Sequence, residues 1–153
     1  MRPLIRTAAT ALMAALLPAQ AIADVQANPC DWLRDMRNIV EPWEENTRTF
    51  YDGQVRVVNA DSGEPACCSA NLLLLVPDPE DEMEGDKCVA IGMGPGMGVT
   101  RLDYHKLTAD YDPATGLTLR FPYAILNLET SRMGPTKNAT VRINLKTGEV
   151  SAR

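Results

Sequence analysis

The sequence LTLRFPYAI, at residues 117–125, is the clearest β-strand pattern in the chain. Its odd-numbered positions are all apolar, and they alternate with Thr118, Arg120, Pro122 and Ala124. Successive side chains of a strand point to opposite faces, so the odd-numbered side chains are expected to face a core. Pro122 has no backbone N–H, which predicts that the strand lies at a sheet edge or carries a bulge.

Further strand patterns lie on the N-terminal side of this segment. Residues 72–76 are apolar at every position, which is typical of a central strand that is covered on both faces. The Asp52-Gly53 pair favours a tight hairpin turn between residues 47–51 and 54–59. We therefore predict a mainly β fold, an antiparallel sheet or small barrel of about six to eight strands.

Residues 30–43 show a helical period instead. Their apolar residues recur every three or four positions, at Trp32, Leu33, Met36, Ile39, Val40 and Trp43. This stripe predicts one N-terminal helix of about 10–12 residues that packs on the sheet. Residues 100–106 fit either a single helical turn or a strand, and the sequence leaves both open.

The first 23 residues have the pattern of a cleavable signal peptide. Two arginines precede the apolar run 8–17, and the small-residue triplet 21–23 follows it. The run is shorter than the roughly 20 residues of a membrane span, and no cysteine follows Ala23 directly, so we expect neither a membrane span nor a lipid anchor. Cleavage after Ala23 would release a periplasmic or secreted protein with a flexible lead-in at residues 24–29 and a single domain at residues 30–153.

The charge of the chain narrows the classes of partner. Residues 1–23 contain Arg2 and Arg6 and no acidic residue, so their removal changes the formal net charge from −5 to −7. A negative surface repels nucleic acids and anionic lipids. We therefore expect a protein partner whose surface is neutral or basic, and no nucleic acid.

Four cysteines, Cys30, Cys67, Cys68 and Cys88, predict two disulfide bonds in an oxidising compartment. A bond between the adjacent Cys67 and Cys68 would close a strained ring, so we expect Cys30 to pair with one of them and Cys88 with the other. The sequence does not select between these two pairings. A plain hairpin of residues 72–76 and 87–93 would put Cys88 opposite about Leu75, roughly 20 Å from the doublet at ~3.3 Å per residue, and would conflict with either pairing.

The chain has no recognisable catalytic or cofactor-binding motif, so no cofactor is expected. Its one histidine, His105, has no serine in a nucleophile-elbow setting, and it is expected to be solvated. The Cys67-Cys68 doublet lacks the spacing of a C-x-x-C redox motif, which favours a structural role.

Three functions follow from these features. The first is an exported, non-enzymatic domain that binds another protein, as an inhibitor or an envelope accessory factor. The second is a copper carrier that uses Met93, Met97 and His105, since thioether and imidazole ligands suit Cu(I). The third is a thiol oxidoreductase at Cys67-Cys68.

Overall fold

The computed structural model describes residues 24–153 apart from Glu82 and Glu84, so the predicted signal peptide lies outside the described residues. The first five strands form one antiparallel sheet: β1 (Gln26–Pro29), β2 (Thr47–Phe50), β3 (Val55–Asp61), β4 (Ala70–Pro77) and β5 (Asp86–Gly92). Their order in space is β1-β5-β4-β3-β2, which makes β4 the central strand. The predicted hairpin at Asp52-Gly53 is confirmed, because it joins β2 to β3.

The second sheet comes from the C-terminal half. Seven strands follow in the described chain: β6 (Arg101–Leu102), β7 (Thr108–Asp112), β8 (Gly116–Ala124), β9 (Leu126–Asn127), β10 (Arg132–Met133), β11 (Lys137–Ile143) and β12 (Val150–Ala152). The sheet has the order β12-β11-β8-β6, and β7 also pairs with β8, whereas β9 and β10 form a separate two-stranded sheet. The predicted mainly β, antiparallel fold is confirmed, and the sheets curl into a half-barrel.

The core lies between the two sheets. Alternate side chains of β3, β4 and β5 face alternate side chains of β8 and β11, and the burial of this apolar surface is the main stabilising contribution. The largest fully buried side chains include Leu72, Leu74, Ile91, Leu119, Phe121 and Ile143.

A second apolar cluster covers the opposite face of the first sheet. Leu73 of β4 packs there with Cys30, Leu33, Ala60 and Ala90. Apolar contacts therefore enclose β4 on both faces, as its uninterrupted apolar sequence predicts.

The helix predicted for residues 30–43 does not form. The segment makes two short 3-10 turns, at Asp31–Arg34 and Met36–Asn38, before the four-residue helix α1 (Trp43–Asn46). Asp35 separates the two turns with an extended backbone, and its carboxylate accepts a hydrogen bond from the backbone N–H of Arg37 at 2.9 Å. Such local side-chain bonds compete with helix formation. No helix among the described residues has the length and apolar character needed to cross a membrane.

The periodicity of this segment was misleading because most of its apolar side chains do not reach the core. Leu33 is buried, but Trp32 and Met36 are 56% and 61% exposed. Ile39 instead forms an isolated bridge with Ala60 of β3. The segment thus follows the first sheet as irregular backbone and uses one buried leucine as its anchor.

Residues 24–29, which we expected to be a flexible lead-in, are part of the first sheet. β1 pairs with β5 from Gln26 to Pro29, and Val25 is only 1% exposed. The carboxylate of Asp24 accepts hydrogen bonds from Lys137 and from the hydroxyl of Tyr123. This segment therefore closes the edge of one sheet and contacts the other.

Pro122 lies neither at a sheet edge nor at a bulge. β7 pairs with β8 up to Arg120, and β6 pairs with β8 at Tyr123 and Ala124, so the proline occupies the gap between these two partners. Its missing N–H is not needed there, and its carbonyl accepts from the N–H of Asp103 at 2.9 Å.

Residues 100–106 contain both structures that the sequence left open. The strand β6 comes first, and a 3-10 turn at Tyr104–Lys106 follows it. Tyr104 is buried in the main core, where its hydroxyl donates to the carbonyl of Val57 at 2.9 Å.

The ion pair of Asp24 and Lys137 makes a testable contribution to stability. The hydrogen bond from Lys137 lowers the pKa of Asp24 below its ordinary value of 3.8. A carboxylate with a lowered folded-state pKa stabilises the fold above its unfolded pKa, and this contribution is lost as the pH falls through the folded pKa. We expect Asp24→Asn to lower the free energy of unfolding at pH 7 and to have a much smaller effect at pH 2.5. Urea denaturation at the two pH values measures this, and equal effects at both would contradict it.

Candidate functional site

An apolar groove of about 420 Å³ opens on the protein surface beside the Cys67-Cys68 doublet. We call it the disulfide groove. Its apolar and sulfur-bearing lining comprises Trp32, Ala66, Cys67, Cys68, Met93, Met97, Ile125, Leu126 and Leu128, and Ser62, Glu64 and Gly96 complete it. Trp32, Met97 and Leu128 are large apolar side chains that are each more than half exposed. The groove thus concentrates apolar surface on a chain with an acidic net charge.

The glycine-rich residues 92–98 form a tight turn that shapes one wall. The backbone N–H of Met93 donates to the carbonyl of Met97 at 2.8 Å, and the N–H of Gly98 donates to the carbonyl of Cys68 at 2.7 Å. A Cβ atom at Gly98 would lie 2.1 Å from the carbonyl oxygen of Ala70, so only glycine allows this close approach. The turn is therefore held against the start of β4.

The structure corrects the predicted disulfide pairing. Cys30 bonds to Cys88, with their Cα atoms 5.5 Å apart, and Cys67 bonds to Cys68. The register of β4 and β5 explains this result, because Cys88 lies opposite Leu75. The doublet precedes β4 and therefore lies near the end of the strand that is distant from Cys88. Cys30, in contrast, lies beside Cys88 in the second apolar cluster.

The Cys67–Cys68 disulfide is linked to the opposite wall of the groove through Thr100. Both sulfur atoms lie 3.5 Å from the Thr100 hydroxyl oxygen. A disulfide sulfur has no proton, so the hydroxyl is the donor in these contacts. The same oxygen accepts a hydrogen bond from the backbone N–H of Leu126 at 2.8 Å. One hydroxyl thus connects the disulfide to the wall that carries Leu126 and Leu128.

Trp32 forms the rim of the groove, and it packs on the glycine-rich turn. A Cβ atom at Gly96 would lie 3.2 Å from the indole Nε1, so the indole lies directly over this glycine. Gly96 also has a positive φ of 69°, which favours glycine. The position of the indole depends on the absence of a side chain at Gly96.

No protein-family model, curated protein or solved structure matches this chain. The function is therefore inferred from the geometry of its residues.

His105 is not part of the disulfide groove. It lines a separate polar groove of about 510 Å³, together with Glu41, Glu45, Arg101 and Lys106. Lys106 pairs with Asp103 at 2.7 Å and lowers the pKa of that carboxyl group. Acidic and basic side chains both line this groove, so its surface does not have a single sign of charge.

Tyr104 also lines the polar groove, but it is not available for proton transfer near neutral pH. Burial raises the pKa of Tyr104 to about 12. Its proton is also used in the hydrogen bond to Val57. The described lining of this groove contains neither serine nor cysteine, so it offers His105 no such nucleophile.

The three ligands of the copper hypothesis do not line one cavity. Met93 and Met97 line the disulfide groove, whereas His105 lines the polar groove. Among the described residues, no group of three or more His, Cys, Asp or Glu side chains is arranged to hold a metal ion. The two methionines contribute polarisable apolar surface to the disulfide groove instead.

Several groove residues were not found by sequence reasoning. Trp32 was assigned to the buried stripe of a helix, and Leu126 and Leu128 lie beyond the periodic strand pattern. Only Leu128, an apolar residue between polar neighbours in a turn-rich segment, carries a signal of exposure in the sequence. The groove itself could not be predicted, because distant segments of the chain form it.

Replacement of Gly96 tests how the rim is built. We expect Gly96→Ala to displace the indole of Trp32 and to change its fluorescence emission, in a Trp43→Phe background that leaves Trp32 as the single tryptophan. Gly53→Ala is the matched control, because Gly53 has a φ of 84° and, apart from its chain neighbours, no heavy atom of the described residues lies within 4 Å of the added Cβ. Both substitutions should lower the free energy of unfolding by about 1–2 kcal/mol, the usual cost of a left-handed backbone. Identical emission spectra for the two variants would refute the packing of Trp32 on Gly96.

Proposed function

We propose that this protein is an exported, non-enzymatic binding domain that holds an apolar segment of a protein partner in the disulfide groove. The observation that carries the proposal is the grouping of Trp32, Met97 and Leu128 as exposed apolar side chains around one concave surface. Exposed apolar patches on soluble domains mark sites of interaction. An inhibitor or an envelope accessory factor would use a surface of this kind.

The composition of the lining supports protein binding. Tryptophan and methionine are enriched at protein interfaces, where tryptophan often contributes a large share of the binding energy. Methionine side chains adapt to the shape of a partner because they are unbranched and flexible. Trp32 is therefore the expected anchor, and Met93 and Met97 supply adaptable contact area.

Charge defines the chemistry of the partner. Glu64 is the one charged residue in the described lining of the groove, and residues 24–153 carry a formal net charge of −7. A partner segment with apolar side chains between lysine or arginine residues would complement this surface. The same segment flanked by acidic residues would be repelled.

The walls of the groove are pre-organised. The glycine-rich turn is hydrogen-bonded to Cys68, and Val99 and Ala70 exchange backbone hydrogen bonds at 2.7 and 3.0 Å. Pre-formed walls reduce the entropic cost of binding, because less of the groove has to become ordered when the partner binds. The proposed mechanism is therefore insertion of apolar side chains into an existing groove.

The predicted signal peptide and the Cys30–Cys88 disulfide support export. Disulfide bonds persist in oxidising compartments such as the bacterial periplasm, and Cys30–Cys88 has an ordinary Cα separation of 5.5 Å. We propose that cleavage after Ala23 releases the mature chain, which begins at Asp24.

Two fluorescent peptides test the proposal. Both carry the core Met-Leu-Phe, one flanked by lysines and the other by glutamates, and binding is followed by fluorescence anisotropy. We expect saturable binding of the lysine-flanked peptide and weaker binding of the glutamate-flanked one. Trp32→Ala should weaken binding about tenfold, which corresponds to about 1.4 kcal/mol.

Trp43→Ala is the control for loss of a tryptophan. Trp43 is also exposed, but it does not line the disulfide groove, so its replacement should leave the affinity within about twofold of wild type. The proposal fails if neither peptide binds saturably, or if Trp43→Ala weakens binding as much as Trp32→Ala. Capture from a periplasmic extract with wild-type and Trp32→Ala baits then identifies the natural partner as a protein retained by wild type alone.

A further inference from the structure

The two disulfides of this chain lie in different surroundings, although Cys88, like Cys67 and Cys68, is partly exposed. Cys30 is 3% exposed, and it lies in the apolar cluster on the outer face of the first sheet. Cys67 and Cys68 are both partly exposed, and they line the open disulfide groove. Thiol–disulfide exchange requires a thiolate to approach a sulfur atom directly. Both cysteines of the Cys67–Cys68 pair are therefore open to a reductant from the groove, whereas in the other disulfide only Cys88 is partly exposed.

The backbone of the doublet is in an unfavourable conformation at Cys68. Cys68 has a φ of 68°, in the left-handed region that residues other than glycine rarely occupy. The disulfide ring constrains the peptide unit between the two cysteines, and residues 65–67, which lie in no strand, lead into it. Once the ring is opened, Cys68 is free to return to a more favourable conformation.

The chemical state of the sulfur atoms also affects the far wall. In the disulfide, the Thr100 hydroxyl is the donor to the sulfur atoms and the acceptor for the N–H of Leu126. After reduction, each cysteine would carry an S–H proton close to the Thr100 hydroxyl. The two sulfur atoms could then donate hydrogen bonds to this oxygen, which they cannot do in the disulfide. Reduction thus acts on the doublet and, through Thr100, on the wall that carries Leu126.

We propose that Cys67–Cys68 is a redox-active modification site, reduced by a dithiol, and that its state sets the shape of the disulfide groove. A thiolate of the dithiol attacks one sulfur of the pair, forms a mixed disulfide and releases the other cysteine as a thiol after protonation. The second thiol of the reductant then displaces the remaining cysteine. In total, two electrons and two protons pass from the dithiol to the protein, and the reductant becomes a disulfide. Control of partner binding by this step rests on the function proposed above.

A redox titration with dithiothreitol tests the site in the purified four-cysteine protein. Samples equilibrated at different ratios of reduced to oxidised dithiothreitol are alkylated with iodoacetamide, and the labelled cysteines are identified by peptide mass spectrometry. We expect Cys67 and Cys68 to become labelled at a ratio at least about tenfold less reducing than the ratio that labels Cys30 and Cys88. Simultaneous or earlier labelling of Cys30 and Cys88 would overturn the proposal.

The emission of Trp32 reports the shape of the groove across the same titration, in the Trp43→Phe background. We expect the emission to change with the midpoint at which Cys67 and Cys68 become labelled. The double variant Cys67→Ser, Cys68→Ser, which retains Cys30–Cys88, should show no change over that range. If this variant does not fold, the comparison of labelling and emission in the four-cysteine protein is sufficient. Unchanged emission after full labelling of the doublet contradicts the inference.

The redox site and the peptide-binding function can be tested separately. Labelling and emission need no partner, so they test the redox site even if no peptide binds. Weaker binding of the lysine-flanked peptide after reduction supports redox control of the groove. Equal binding before and after reduction refutes that control but leaves the binding function standing.

Discussion

In the antiparallel register of β4 and β5, Leu75 stands opposite Cys88, and this pairing determines which side chains share each face of the first sheet. Leu72, Leu74 and Val76 face the main core. Leu73 and Cys88 face the outer cluster, where Cys30 forms its disulfide with Cys88. A shift of one residue would exchange the two faces, so the main core and the covalent link to the N-terminal segment depend on the same register.

The register also keeps Cys88 away from the Cys67-Cys68 doublet, which lies at the other end of β4. Since Cys88 is held along the hairpin and bonded to Cys30, the doublet remains at the start of β4, where its sulfur atoms bond to each other. The glycine-rich turn returns to the same point, because Gly98 bonds to the carbonyl of Cys68. Trp32 then packs over Gly96. One side of the disulfide groove therefore follows from how the first sheet ends, and the segment that carries Leu126 and Leu128 completes the other wall.

Local sequence patterns predicted the elements that depend on local chemistry. Alternation at residues 117–125 identified β8, and the Asp52-Gly53 turn identified the β2–β3 hairpin. The prediction of a helix at residues 30–43 was wrong, because the Asp35 side chain accepts a hydrogen bond from the backbone of Arg37 and interrupts the helix. The spacing of apolar residues does not reveal such a bond. The disulfide groove could not be predicted, since it requires the separate segments that carry Trp32, Cys67 and Leu128 to meet in space.

Disulfide mapping of the unreduced, purified protein tests the β4–β5 register most directly. Digestion without reduction, at a pH low enough to prevent thiol exchange, is followed by mass spectrometry of the linked peptides. The account predicts one peptide pair joined by Cys30–Cys88 and a single peptide that contains an internal Cys67–Cys68 bond. A bond from Cys88 to either member of the doublet would contradict the register, because Cys88 lies opposite Leu75 and the doublet lies at the other end of β4. A bond from Cys30 to the doublet would contradict the Cys30–Cys88 link and the groove beside Cys67–Cys68.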